Sequence, residues 1–254
     1  MNFSRFTSIA LAMVSLSFAA TAEAAIVTLT PLKDNTLYES SEGNLSNGQG
    51  GSIFVGKTGF NDGFNLRRGL IAFNIASVIP AGSTVSNVTL TMFLAQSSPD
   101  PNSVSVSLHV ASKDWGEGAS SGGGAGGLAA TGDATWVHNF FATSTWTNLG
   151  GDFRGASSAA TTVNNAGLDY LWSAGTLVAD VQAWVDNPAS NFGWFLIGNE
   201  SRDTSAQRFA SSEGILSQAP RLTITYTIPE PSTALLGLAG AFALLRRRRP
   251  SPVS

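Results

Sequence analysis

The sequence predicts an all-β fold, a two-sheet jelly-roll sandwich with one short helix. Three observations predict it. Apolar residues recur with a period of two in several short runs. Clusters of Gly, Asn, Ser and Pro separate those runs. A single segment follows helical spacing instead. Many short strands with long returns bury their apolar faces most simply as two packed sheets.

The elements follow in order. Strand candidates cover residues 26–30, 36–39, 52–56 and 69–74. In residues 88–94, Val88, Leu90, Met92 and Leu94 alternate with Thr89, Thr91 and Phe93, which puts the first set on one face. Val104, Val106, Leu108 and Val110 alternate with Ser105, Ser107 and His109 in the same way. Residues 192–198 and 207–211 are two more candidates, and Leu222, Ile224 and Tyr226 alternate with threonines in the last. Leu177, Val178, Val181, Trp184 and Val185 have helical spacing, and Asn187-Pro188 stops that run, so a short helix should cover one end of the sandwich. Residues 116–132 hold eight glycines in seventeen positions. So little apolar surface predicts a flexible surface loop there.

Both ends carry export signals. Residues 1–24 have one basic residue, Arg5, then an apolar core over about 9–18, then Ala22-Glu23-Ala24, a small-residue site for signal peptidase that makes Ala25 the expected mature start. At the other end Pro229-Glu230-Pro231 precedes an apolar run over 232–245 and the cluster Arg246, Arg247, Arg248 and Arg249. Arginines are costly to move across a bilayer, so the cluster should stay cytoplasmic and the apolar run should sit in the membrane as a transmembrane helix. The run is short against the ~20 residues that a spanning helix needs, which suits a transient stop more than a permanent anchor.

Between the signals, residues 25–227 have nine basic residues and fifteen carboxylates, a net charge of −6. An acidic domain with no basic cluster argues against nucleic acid as a partner. The chain has no cysteine, which excludes thiol catalysis, thiolate metal sites and disulfide staples.

The C-terminal arrangement over residues 228–254 resembles the PEP-CTERM sorting tail of Gram-negative bacteria, with all three parts in order. That resemblance implies processing by an exosortase near the motif, and association with the outer surface or extracellular polysaccharide. Residues 25–227 resemble the DNRLRE family of secreted β-sandwich domains. The resemblance is carried by Asp34-Asn35-Thr36-Leu37-Tyr38-Glu39, by Arg67-Arg68-Gly69-Leu70-Ile71-Ala72-Phe73, by Ile79-Pro80-Ala81-Gly82 and by Asp114-Trp115-Gly116-Glu117. It continues in Ala134-Thr135-Trp136, Trp146 with Gly150-Gly151-Asp152, Val181-Gln182-Ala183-Trp184-Val185, Ser211-Ser212-Glu213 and Pro220-Arg221-Leu222. The family implies a jelly roll related to carbohydrate-binding modules.

The chemistry-bearing residues are few. His109 and His138 have no metal-spaced partner and are expected to be structural. Asp114 and Glu117 could form the carboxylate pair of a glycosidase, but capping loop backbone is the stronger expectation. Asp34 and Asp152 are candidate oxygen ligands for a structural calcium ion, with Asp62, Asp180 and Glu213 as further carboxylates. Of the six tryptophans, Trp184 and Trp194 should pack inside. Trp115, Trp146 and Trp172 lie near expected turns and are the candidate sugar-stacking residues, because an exposed indole offers a rigid apolar face. The expected function is that of an exported, non-enzymatic surface or matrix protein with a carbohydrate-binding-like module. A polysaccharide-degrading enzyme and a purely structural adhesin are the alternatives.

Overall fold

The computed structural model describes residues 23–59, 65–98 and 103–228. Asp62, nearly all of the expected leader, and the tail from Pro229 through the Arg246, Arg247, Arg248 and Arg249 cluster lie outside the described residues. Among the described residues no helix is long and apolar enough to cross a membrane.

The domain over Ala24–Ile228 is antiparallel β with one helix. Its first strands are β1 (Ala24–Leu29), β2 (Lys33–Tyr38), β3 (Leu45–Ser46), β4 (Ser52–Lys57) and β5 (Leu66–Ala72). The middle holds β6 (Thr84–Gln96), β7 (Val104–Val110), β8 (Gly127–Leu128), β9 (His138–Phe140), β10 (Ser144–Thr145), β11 (Ala159–Val163) and β12 (Leu168–Trp172). Helix α1 (Gly175–Asp186) follows, then β13 (Trp194–Ile197), β14 (Gln207–Ala210) and β15 (Arg221–Thr227). Hydrogen-bonded neighbours run β1-β15-β6-β14-β4-β5-β13-β7-β11, with β12 also on β6 and β2 also on β5. Strand β4 pairs with β14 through Val55↔Gln207 and with β5 through Gly56↔Arg67, so it joins the two halves of this path.

The path closes around one core. Val88, Leu90, Met92 and Leu94 of β6 and Val104, Val106 and Leu108 of β7 are not hydrogen-bonded neighbours, yet they share a single buried cluster. The alternation read from sequence therefore sorts these strands as expected. The expected helix is also present. Leu177, Val181, Trp184 and Val185 form its buried stripe, and it packs on β6 and on the 3-10 turn Ile75–Ser77. Asn187 caps it by donating its N–H to the Ala183 carbonyl, and Pro188 cannot continue it.

A second core was not foreseen. Leu37 of β2, Leu70 and Ala72 of β5 and Phe195 of β13 pack with Ala111, Trp115, Ala134, Trp136 and Trp146. Their sequence neighbours Ile71, Trp194 and Leu196 belong to the first core. The β2-β5-β13 layer is thus buried on both faces, and residues 111–146 form the cover of its second face.

Two expectations need correction. Strands β11 and β12 were missed. Strand β11 reads AATTV, too weakly apolar to show an alternation, and β12 turns Leu168 and Leu171 to solvent. The glycine-rich segment is not a free loop. Gly122 and Gly123 donate their N–H groups to Asn47 Oδ1 at 2.8 and 3.0 Å, the Tyr38 hydroxyl donates to the Gly123 carbonyl, and both oxygens of buried Asp133 accept backbone N–H bonds from Ala119 and Ala130. Gly126, at φ +76°, lies against the Tyr38 ring where a Cβ would come within 3.1 Å. Hydrogen bonds to side chains of the framework order this segment in place of apolar packing.

Thermal or urea unfolding of two variants tests this picture. Trp184→Ala should lose about 3–5 kcal/mol, because its ring is buried 4.5 Å from that of Trp194. Deleting residues 122–127 should lose about 2–4 kcal/mol through the hydrogen bonds removed, whereas a free loop would tolerate the cut.

Candidate functional site

The three candidate stacking tryptophans are all buried. Trp115 is 1% exposed, Trp146 5% and Trp172 0%. Each indole N–H is satisfied inside the fold. Trp115 donates to the Phe192 carbonyl at 2.8 Å, Trp146 to the Thr135 carbonyl at 2.9 Å and Trp172 to the Val106 carbonyl at 2.8 Å. A ring without an accessible face cannot stack on a sugar, so the exposure expected of these residues is absent. Trp115 and Trp146 build the second core, and Trp172 closes the first from the unforeseen strand β12.

The histidines have structural partners. His109 Nε2 meets Ser107 Oγ at 2.9 Å and its Nδ1 meets the Arg154 carbonyl oxygen at 2.9 Å. His138 Nδ1 meets Thr135 Oγ1 at 3.1 Å. Asp114 and Glu117 both hold backbone. Asp114 Oδ1 accepts from the Trp115 N–H at 2.8 Å, and Glu117 Oε1 accepts from the Asp34 N–H at 3.0 Å.

The two candidate calcium ligands part company. Asp152 caps the turn that follows Trp146. Its carboxylate accepts the N–H groups of Thr147 and Asn148 and the side-chain amide of Asn148, at 2.7–2.9 Å. Burial alone would raise its pKa, but these bonds outweigh it and hold the carboxyl below its ordinary value. Its lone pairs are occupied by the turn.

Asp34 is the opposite case. It stands near the start of β2, 1% exposed, in a polar belt tied by its neighbours. Lys33 Nζ donates to Asp114 Oδ1 at 2.8 Å and to the Trp115 carbonyl, and lies 4.3 Å from the Trp115 ring centre. Asn35 donates to the Glu117 carbonyl at 2.8 Å and accepts from the N–H of Asn47 at 2.9 Å. Asp34 Oδ2 accepts both the N–H and the hydroxyl of Ser212, at 2.8 and 2.7 Å, while its buried Oδ1 has no partner. Burial, then the charge of Glu213 and more weakly that of Glu117, push this carboxyl up to about 7, against the pull of the Ser212 bonds. Glu117 is raised too, first by burial.

Sequence reasoning missed two features. Arg68 on β5 makes a two-pronged ion pair with Glu200 at 2.6 and 2.8 Å, donates to the Gly150 carbonyl at 2.8 Å and lies 4.8 Å from the Trp136 ring centre. Two adjacent arginines entering an apolar strand were the available signal. The other is a concavity of about 290 Å³ between the end of β7, residue 154 and α1, lined by Ser112, Arg154, Asp180, Trp184, Ser190 and Phe192. Buried Asp180 accepts from Arg154 Nη2 at 2.8 Å and from the Trp194 indole N–H at 3.1 Å. No spacing in the sequence joins these residues.

Compared with known proteins, the chain matches no family model and no curated protein.

Asp34 makes a pH prediction. Below about pH 4 its carboxyl is protonated in both the folded and the unfolded chain. Between there and about 7 the unfolded chain ionises first, so stability falls as pH rises through this window and levels off above it. In metal-free buffer, wild type should lose on the order of 4 kcal/mol relative to Asp34→Asn from pH 4 to pH 7.5. Parallel stability profiles for the two proteins would contradict it.

Proposed function

We propose that this chain is an exported cell-surface or extracellular-matrix protein whose β domain is a jelly roll of the carbohydrate-binding-module type. Signal peptidase and an exosortase are its processing partners, and extracellular polysaccharide is its surroundings. The observation that carries the reading is the order of Pro229-Glu230-Pro231, apolar run and arginine cluster behind an antiparallel β domain. The segments that resemble the DNRLRE pattern support it by their placement. They supply β2, β5 and α1, and the Gly150-Gly151-Asp152 turn against Arg68 and Phe195.

In this reading a sugar enters the concavity beside Arg154 rather than stacking on Trp115, Trp146 or Trp172. About 290 Å³ accommodates one sugar ring. Ser112 and Ser190 offer hydroxyls, Phe192 offers an apolar wall, and the Arg154 guanidinium makes its bonds among the described residues through Nε and Nη2, not Nη1. A second reading, a matrix scaffold that binds no sugar, is favoured by the burial of those three tryptophans.

The test uses protein recovered from the producing cells. Intact mass should give a start at Ala25 and loss of the apolar tail. A surface-located form that keeps Arg246, Arg247, Arg248 and Arg249 would end the exosortase reading. A glycan array with a turnover assay should then show binding without turnover, weakened about tenfold or more by Arg154→Ala. Turnover would move the protein to the enzyme class, and a blank array would favour the scaffold.

A further inference from the structure

We propose that Asp34, Glu117 and Glu213 form a divalent-cation site, and that the cation is calcium. The first observation is an oxygen with nothing to bond. Asp34 Oδ1 lies in a side chain 1% exposed and has no partner, since Ser212 makes both its bonds to Oδ2. A buried carboxylate oxygen without a donor carries a full desolvation penalty. Protonation or a cationic partner relieves such a penalty.

The second observation is the sign of the charge around it. Glu117 Oε1 accepts the Asp34 N–H at 3.0 Å, and Asp34 Oδ2 and Glu213 Oε1 each lie 2.7 Å from the one Ser212 hydroxyl, so both neighbouring side chains are carboxylates. The nearest lysine in sequence, Lys33, points its ammonium at Asp114 Oδ1 and the Trp115 carbonyl instead. Three carboxylates therefore gather, and Lys33, whose charge is felt by Glu117, makes its hydrogen bonds to Asp114 and the Trp115 carbonyl and none to these three. They come from separate parts of the chain: β2, the segment after β7, and the turn after β14. A bound cation would tie those three together.

The donor set selects the ion. Only oxygen is on offer, from carboxylates, the Ser212 hydroxyl and backbone carbonyls, and the chain has no cysteine. Oxygen-only donors suit calcium or magnesium more than zinc or copper. Calcium accepts six to eight oxygens in adaptable geometry and fills open positions with water, whereas magnesium demands a near-ideal octahedron. Among the described residues no three acidic or imidazole groups already surround a common point. The inward turn falls to Glu213, which is exposed and whose Oε1 shares the single Ser212 hydroxyl proton with Asp34 Oδ2, each at 2.7 Å from that hydroxyl. An adaptable ion tolerates that closure better. Asp152 is excluded, because its oxygens are filled by Thr147 and Asn148.

Calorimetric titration of the full chain with calcium chloride, after treatment with a chelator and desalting, tests the site. One ion should bind per chain with a Kd on the order of 10⁻⁴–10⁻³ M, the range of extracellular calcium modules. The unfolding temperature should rise with calcium, and magnesium chloride should act more weakly. Asp34→Asn should abolish binding, Glu213→Gln should weaken it about tenfold or more, and Asp152→Asn should leave it unchanged. Because Glu213 is exposed, its variant keeps the test decisive if Asp34→Asn fails to fold. Absence of both heat and thermal shift at ~10 mM calcium, far above that Kd range, would overturn the proposal, as would unaltered binding by Glu213→Gln.

Discussion

A strand layer buried on both faces needs two cores, and that constraint organises this domain. Strand β13 states it within three residues: Trp194 and Leu196 enter the first core and Phe195 enters the second. Strand β5 repeats it with Ile71 on one side and Leu70 and Ala72 on the other. Successive side chains of a strand point to opposite faces, so a continuous apolar run has to meet a partner on each. The first face meets β6 and its neighbours. The second meets residues 111–146, whose only regular elements are short.

That cover accounts for the tryptophans. A segment with little secondary structure has few regular positions from which to bury apolar area, so each side chain must bury a great deal. Trp115, Trp136 and Trp146 do so in one cluster with Phe195, whose ring centre lies 5.6 Å from that of Trp146. Arg68 adds its guanidinium to the same stack, neutralised by Glu200 and bonded to the Gly150 carbonyl. The glycines beside it have no freedom to change. A Cβ at Gly150 would meet Arg68 at 2.4 Å, and one at Gly151 would meet the Phe195 ring at 2.2 Å, with both residues at positive φ. The aromatic-rich loops are thus the outer wall of a core, not an open platform.

Much of the fold was legible because burial on one face writes a period of two. Strand β7 was delimited at its observed ends, and α1 was found from its apolar stripe and its proline stop. Legibility failed where the pattern and the burial diverge. Strand β12 exposes its leucines and buries Trp172, and losing that strand made its tryptophan look like a loop residue. The same failure recurs in the candidate site. A tryptophan near a turn reads alike whether it faces solvent or roofs a second core, since sequence does not say which layer lies above a loop. Asp34 and Asp152 are both isolated aspartates in sequence. Only the donors around them, two amides and a side chain for one and a half-satisfied pocket for the other, tell them apart.

The absence of cysteine gives these side-chain bonds their wider meaning. Small domains in oxidising compartments often staple such irregular segments with disulfides. Here Asn47 holds Gly122 and Gly123, Asp133 holds Ala119 and Ala130, Asp152 holds Thr147 and Asn148, and Glu39 holds the N–H groups of Asn65 and Leu66. Each is an acceptor, three of them carboxylates, that gathers two amides. Bonds to a charged acceptor contribute about 1.5–3 kcal/mol each, more than neutral ones. Unlike a disulfide, such a staple acts only while its acceptor stays in the folded framework, so the loops and the two cores should lose their order together. In the Asp34 pocket the scheme is half complete: one carboxylate oxygen holds the Ser212 N–H and the other has no partner.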